Sequence, residues 1–114
     1  MDVRDDHAAL IRELGAAGIV LLKNVNNALP LKAPKNIGVF GNDAGDLLNG
    51  LESGSTTNPY GYEYGVLAVA GGSGTGRLSY VVPPLDAIKQ RAAKDKSLVQ
   101  YVLNNTMIIE DGNL

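Results

Sequence analysis

Ile37-Gly38-Val39-Phe40-Gly41-Asn42-Asp43-Ala44-Gly45 reads as a short apolar strand running straight into a loop of small residues. A buried strand that opens into such a loop fits the carboxyl end of a parallel strand in an α/β sheet, the edge at which open sheets bind ligands. Asp43 would stand at that edge. It can orient a polar ligand there, or it can hydrogen-bond its own turn backbone as aspartates in loops commonly do.

Toward the N-terminus, Pro34-Lys35-Asn36 reads as a turn and Ala28-Leu29-Pro30-Leu31 as extended chain, because proline pushes its predecessor out of the helical region. Asn26-Asn27 is a second turn signal. Ile19-Val20-Leu21-Leu22 has no polar alternation, so it predicts a strand covered on both faces. Before it, Asp5 to Ala17 predicts a helix with Asp5 or Asp6 as its cap. Its inward stripe would be Leu10, Ile11 and Leu14, and Gly15 and Gly18 would mark where it stops. His7, the single histidine, falls in the first turn, where a solvated imidazole is the simplest reading.

Toward the C-terminus, residues 46–64 dissolve into a polar loop of glycine, serine, threonine and asparagine, ending on the alternating rings Tyr60, Tyr62 and Tyr64. Loops of that length in compact domains usually serve a function or stay unstructured. The rings can anchor the loop or stack on a sugar or base. Gly65 to Pro84, GVLAVAGGSGTGRLSYVVPP, then gathers Gly71, Gly72, Gly74 and Gly76 around Ser73. Glycines at that density let backbone approach a ligand closely. Pro83-Pro84 introduces a helix from Leu85 to about Lys94, with Leu85, Ile88 and Ala92 inward. A strand follows at Leu98 to Leu103, then a formal N-glycosylation sequon, Asn104-Asn105-Thr106, of consequence only in a secreted chain, then the apolar Met107-Ile108-Ile109.

This order makes the fold class α/β, with two helices covering a sheet of three or four strands. An unfinished sheet edge marks it as a partial α/β sandwich, a piece of a larger layered domain.

Composition narrows the function classes. The chain has 114 residues, 45% hydrophobic and 19% charged, the balance of a globular domain. Ten basic and 12 acidic residues lie interspersed, which argues against a nucleic-acid surface. Without cysteine there is no disulfide framework, thiol nucleophile or cysteine-based zinc site. No apolar run reaches the roughly 20 residues of a membrane span, and the charged start MDVRDDHAAL lacks a signal-peptide core.

The motifs carry little chemistry by themselves. Gly72-Ser73-Gly74-Thr75-Gly76 lacks the lysine and the following helix of a phosphate loop, since Arg77 to Val82 is extended in character. A nucleophilic Ser73 would need the Gly-x-Ser-x-Gly spacing and His7 as its base. Asp43, Asp46, Glu52 and Glu63 are candidates for a carboxylate pair, and nothing in their spacing marks two of them. What remains is a ligand-facing loop without a catalytic constellation.

Several stretches in series resemble the family-3 glycoside hydrolases, fungal β-glucosidases in particular: His7-Ala8 and its helix, Gly18 to Asn24, Ala28 to Leu31, Ile37 to Ala44, and Gly65 to Thr75 leading to Tyr80 and Pro84. The resemblance covers roughly residues 5–106. It implies the start of a second, α/β sandwich domain that packs on an N-terminal (β/α) barrel, so that residues 1–114 would be an incomplete sandwich domain with the barrel absent. The family hydrolyses terminal β-linked glucose with retention, using two carboxylates about 5–5.5 Å apart. Its nucleophile comes from the barrel and its acid/base glutamate from farther along the sandwich domain, so the resemblance implies that this chain supplies neither and is inactive alone.

The same resemblance implies that Ser73 faces the innermost sugar, with the backbone at Gly72 and Gly74 close by. Many relatives carry tryptophan where Gly72 stands, and the loop from Leu47 to Tyr64 departs from the family pattern. The implied partners are a β-glucoside or oligosaccharide substrate and the barrel domain, without cofactor, metal, nucleic acid or membrane. The family is often secreted, and no signal peptide is written in this chain. Two alternatives stay open: a non-catalytic carbohydrate-binding or interaction module of the same ancestry, and a nucleotide-binding α/β domain.

Overall fold

The computed structural model describes residues 3, 5–47, 65–68, 78 and 80–110. They belong to two compact units divided between Lys32 and Ala33.

The first unit contains the predicted helix, α1, at His7–Ala17. Asp6 takes the N-cap position without a side-chain capping bond, and the Gly18 N–H closes the last turn on Leu14 O at 2.9 Å. Gly15 lies inside the helix, and the stop falls at Gly18. The expected burial does not occur, for Leu10, Ile11 and Leu14 are 49%, 68% and 62% exposed. An amphipathic stripe needs a facing layer, and the described part of this unit holds one helix, a short turn and no sheet.

Ile19 to Leu22 forms no strand for a related reason. The two strands that pair do so with each other, and these four side chains are between 58% and 92% exposed. The turn at Asn26-Asn27 is present as a tight helical turn, Val25–Asn27, with φ of 56° and 53° at the two asparagines. Asparagine tolerates that left-handed region better than most residues. Asn24 brackets the turn by donating from Nδ2 to Leu29 O at 2.9 Å and accepting the Leu29 N–H on Oδ1 at 3.0 Å. Ala28 is helical in conformation (φ −59°, ψ −31°) rather than extended, since it closes this turn by donating to Val25 O. The Leu29–Pro30 peptide is cis.

The second unit is a parallel β-α-β arrangement. Strand β1 spans Asn36–Phe40, so Asn36 opens the strand instead of completing a turn; helix α2 spans Pro84–Lys94 and strand β2 spans Leu98–Val102. The strands pair in parallel from Asn36 opposite Leu98 to Phe40 opposite Val102. Leu98 N–H to Lys35 O (2.8 Å) and Gly41 N–H to Val102 O (2.9 Å) extend the ladder past both ends. Among the described residues the sheet has two strands, not the three or four expected.

Helix α2 starts where the double proline predicts. Pro83 is the extended N-cap and Pro84 the first helical residue, a position where a missing N–H is no loss. Leu85 and Ala92 are buried and Ile88 is half-buried, which confirms the inward face and, with Val39 of β1, forms the small core. Outside, Arg91 pairs with Asp95 at 2.6 Å, and the Lys89 ammonium lies 4.1 Å from the centre of the Tyr101 ring.

The helix ends in a Schellman motif. Lys96 adopts φ +56°, its N–H bonds Ala93 O at 3.2 Å, and the Ser97 N–H reaches Ala92 O at 3.0 Å. That turn sends the chain directly into β2. Met107 to Ile109, left as an apolar run by the sequence, belongs to a short helix, α3, at Asn105–Glu110. Asn104 caps it, accepting the Thr106 and Met107 N–H groups on Oδ1 at 2.9 and 3.4 Å.

Candidate functional site

Parallel pairing places the carboxyl ends of β1 and β2 at one edge, where Phe40 lies opposite Val102. Chain leaving β1 must turn sharply there. Gly41 does so with φ +106° and ψ 148°, a conformation open to glycine and hardly to any other residue. A single helical turn follows at Asn42–Ala44, and the Gly45 N–H closes it on Asn42 O at 2.9 Å.

The loop after β1 is tied to the loop after β2 through two asparagines 63 positions apart. The Asn42 backbone N–H donates to Asn105 Oδ1 at 3.0 Å, and Asn105 Nδ2 donates back to Asn42 Oδ1 at 2.6 Å. Two reciprocal bonds fix both the separation and the rotation of the two loops. Leu103 also packs here, its Cδ1 being 2.9 Å from the place a Cβ on Gly45 would occupy.

The polar stretch that starts near residue 47 returns to the same edge. Gly65 sits with φ +94°, and the Val66 N–H donates to Gly45 O at 3.0 Å. A Cβ on Gly65 would overlap the carbonyl oxygen of Asp46 and lie 2.9 Å from its carbon. Departure and return therefore touch backbone to backbone, which only glycine at 65 permits.

Of the sequence-derived candidates, Asp43 is exposed at this edge, and its carboxylate makes no hydrogen bond among the described residues. The local turn bond expected of an aspartate is made by Asp46, whose Oδ1 accepts the Leu47 N–H at 2.7 Å. His7 is exposed in the first turn of α1, in the other unit. Ser73, Gly72 and Gly74 lie outside the described residues, as do Glu52, Glu63, Tyr60, Tyr62 and Tyr64. The chain that flanks the glycine loop is seen at Val66 to Ala68, Leu78 and Tyr80.

Among the described residues no three His, Cys, Asp or Glu side chains gather as a metal site would require, and no helix is long and apolar enough to cross a membrane. Two contributors were not legible as such. Asn105 read only as the middle of a sequon, and Gly65 was one glycine among fourteen.

Comparison with known proteins gives this edge its context. The profile described as "Glycosyl hydrolase family 3 C-terminal domain" matches residues 19–110. A protein named probable beta-glucosidase G from Emericella nidulans is 62% identical over 108 residues, covering 94% of this chain and 13% of that protein. Probable beta-glucosidase D from Aspergillus niger is 43% identical, over 93% of this chain and 14% of its own length. The chain thus spans about an eighth of the curated relatives it matches. Among solved structures, a glycoside hydrolase family 3 beta-glucosidase from Neurospora crassa superposes with a TM-score of 0.77 at 42% identity, covering 92% of this chain and 12% of that one. The beta-D-glucoside glucohydrolase of Trichoderma reesei gives 0.69 at 35% identity, over 85% and 14%. These likenesses agree with the partial α/β sandwich read from the sequence, and the chain belongs to the glycoside hydrolase family 3 C-terminal domain family.

Proposed function

We propose that these residues form one wall of the glucose pocket of a β-glucosidase-like glycoside hydrolase. On this reading residues 1–114 are an incomplete α/β sandwich domain that works against a (β/α) barrel, and the substrate is a terminal, non-reducing β-D-glucosyl group hydrolysed with retention. The observation that carries the proposal is the family match over residues 19–110, together with relatives named as β-glucosidases at up to 62% identity.

Ser73 is the residue assigned to the sugar. Its hydroxyl can both donate to and accept from sugar hydroxyls, and Gly72 and Gly74 leave the neighbouring N–H groups accessible. The bonded edge at Gly41–Gly45 and Gly65–Val66 supplies a rigid base for the chain that leads to this loop. The nucleophile and the acid/base are assigned to other parts of the longer enzyme, so the 114 residues alone bind without turning over.

Two measurements test this. The purified chain, offered an aryl β-glucoside, is expected to release no phenol; turnover would overturn the division of labour proposed. Titration with gluconolactone is expected to shift the Ser73, Gly72 and Gly74 amides, and Ser73→Ala to weaken that response. Lactone-independent spectra would remove the loop from the sugar site, whereas binding that persists in a longer enzyme without hydrolysis would identify a carbohydrate-binding module instead.

A further inference from the structure

We infer that Asn104 is an acceptor for N-linked glycan. Asn104-Asn105-Thr106 has the Asn-x-Thr pattern with a middle residue other than proline. A pattern alone is weak, and three structural features make this one competent. Asn104 is exposed. Its Oδ1 is engaged, accepting the Thr106 N–H at 2.9 Å and the Met107 N–H at 3.4 Å, while its Nδ2 has no partner among the described residues. Thr106 is exposed as well, and its hydroxyl makes no hydrogen bond there, so both groups a transferase must read point to no other task.

The local fold also allows the segment to be presented. Helix α3 has six residues, too few to be stable by itself, and none of residues 104–109 is buried. Opening it disturbs little of the core formed by Val39, Leu85 and Ala92. Glycan attachment is compatible with re-forming it, because Oδ1 keeps both N–H contacts after Nδ2 is substituted. The middle residue Asn105 keeps its side chain on Asn42, which leaves the clamp between the two loops intact.

In the transfer step Nδ2 attacks the anomeric carbon of a lipid-pyrophosphate-linked oligosaccharide. The new C–N bond forms as the C–O bond to pyrophosphate breaks. The lipid pyrophosphate leaves with the electron pair, and the amide loses one proton to a base on the transferase. The co-reactant is thus a polyprenyl-pyrophosphate oligosaccharide, met wherever the chain passes through a compartment that holds one.

The full 114-residue chain, given a cleavable leader and a C-terminal tag bearing its own Asn-x-Thr, is translated with transferase-containing microsomes. Only molecules glycosylated on the tag are scored, so each has met the enzyme. Release by a peptide-N-glycosidase, which hydrolyses the Cγ–Nδ2 amide bond, in heavy-oxygen water is expected to leave a heavy aspartate at position 104. Thr106→Ala, which keeps the backbone N–H that Asn104 caps, is expected to abolish that label. Thr106→Ser is expected to retain part of it, and Asn104→Asp, which keeps the capping oxygen, to lose the glycan without loss of α3. An unmodified Asn104 in molecules carrying the tag glycan would overturn the inference, as would a label that survives Thr106→Ala.

Discussion

Gly65→Ala would strike the point where the chain returns to the sheet edge. The substitution places a methyl group on a residue at φ +94°, overlapping the Asp46 carbonyl oxygen and 2.9 Å from the carbonyl carbon. Positive φ costs a non-glycine residue roughly 1–2 kcal/mol. Both neighbours are backbone atoms, so no rotamer change relieves the overlap, and shifting the backbone adds about 1–3 kcal/mol. The stiffer unfolded chain gives back about 0.4–1 kcal/mol, which leaves a net loss of about 2–4 kcal/mol. Amide hydrogen exchange at Val66 reads this directly, because its N–H is held by Gly45 O at 3.0 Å. With tenfold per 1.4 kcal/mol, exchange should accelerate on the order of 100-fold, up to the limit set by global unfolding. Gly15→Ala is the matched control: nothing lies within 4 Å of its would-be Cβ, and it sits inside α1. There the same chemistry should gain about 0.5–1 kcal/mol and slow the α1 amides. A Val66 amide that exchanges equally fast with and without the substitution would refute the reasoning.

Asn105→Ala removes the acceptor of the Asn42 N–H and the donor to Asn42 Oδ1, and should cost about 1–2 kcal/mol. Asn105→Asp keeps that acceptor and should cost less; faster exchange of the Asn42 amide in the alanine variant alone is the expected pattern. Lys96→Gly relieves the left-handed residue at the end of α2 and should stabilise the second unit by about 0.5–1 kcal/mol, read as a higher thermal midpoint. An unchanged or lower midpoint would show that the lysine is not strained there.

Parts of the fold were legible where local pattern and packing partner lie in the same element pair. Ile37 to Phe40, the double proline, and the Leu85, Ile88, Ala92 spacing all describe pieces that meet one another, and each appears where expected. Leu10, Ile11, Leu14 and Ile19 to Leu22 were misjudged because an apolar pattern states a preference for cover without naming what supplies it. Met107 to Ile109 is too short for periodicity to separate strand from helix; the capping asparagine before it was the usable signal. Lys96 could not be foreseen at a left-handed position, since glycine or asparagine normally stands there. The candidate edge was legible through Gly41 to Gly45, but the bond between Asn42 and Asn105 spans 63 positions, and no local rule reaches that far.

Because Gly45–Asp46 and Gly65–Val66 meet directly, the scaffold registers the stretch between them as a closed node rather than as a span. Where two chain ends are held together in this way, doubling the length of a flexible connection adds only about 0.6 kcal/mol of closure entropy. A lineage can therefore lengthen, shorten or rewrite that stretch as an exchangeable cassette while the strands beneath keep their pairing. Gly65, whose would-be Cβ overlaps the Asp46 carbonyl, is the part that such remodelling must leave alone.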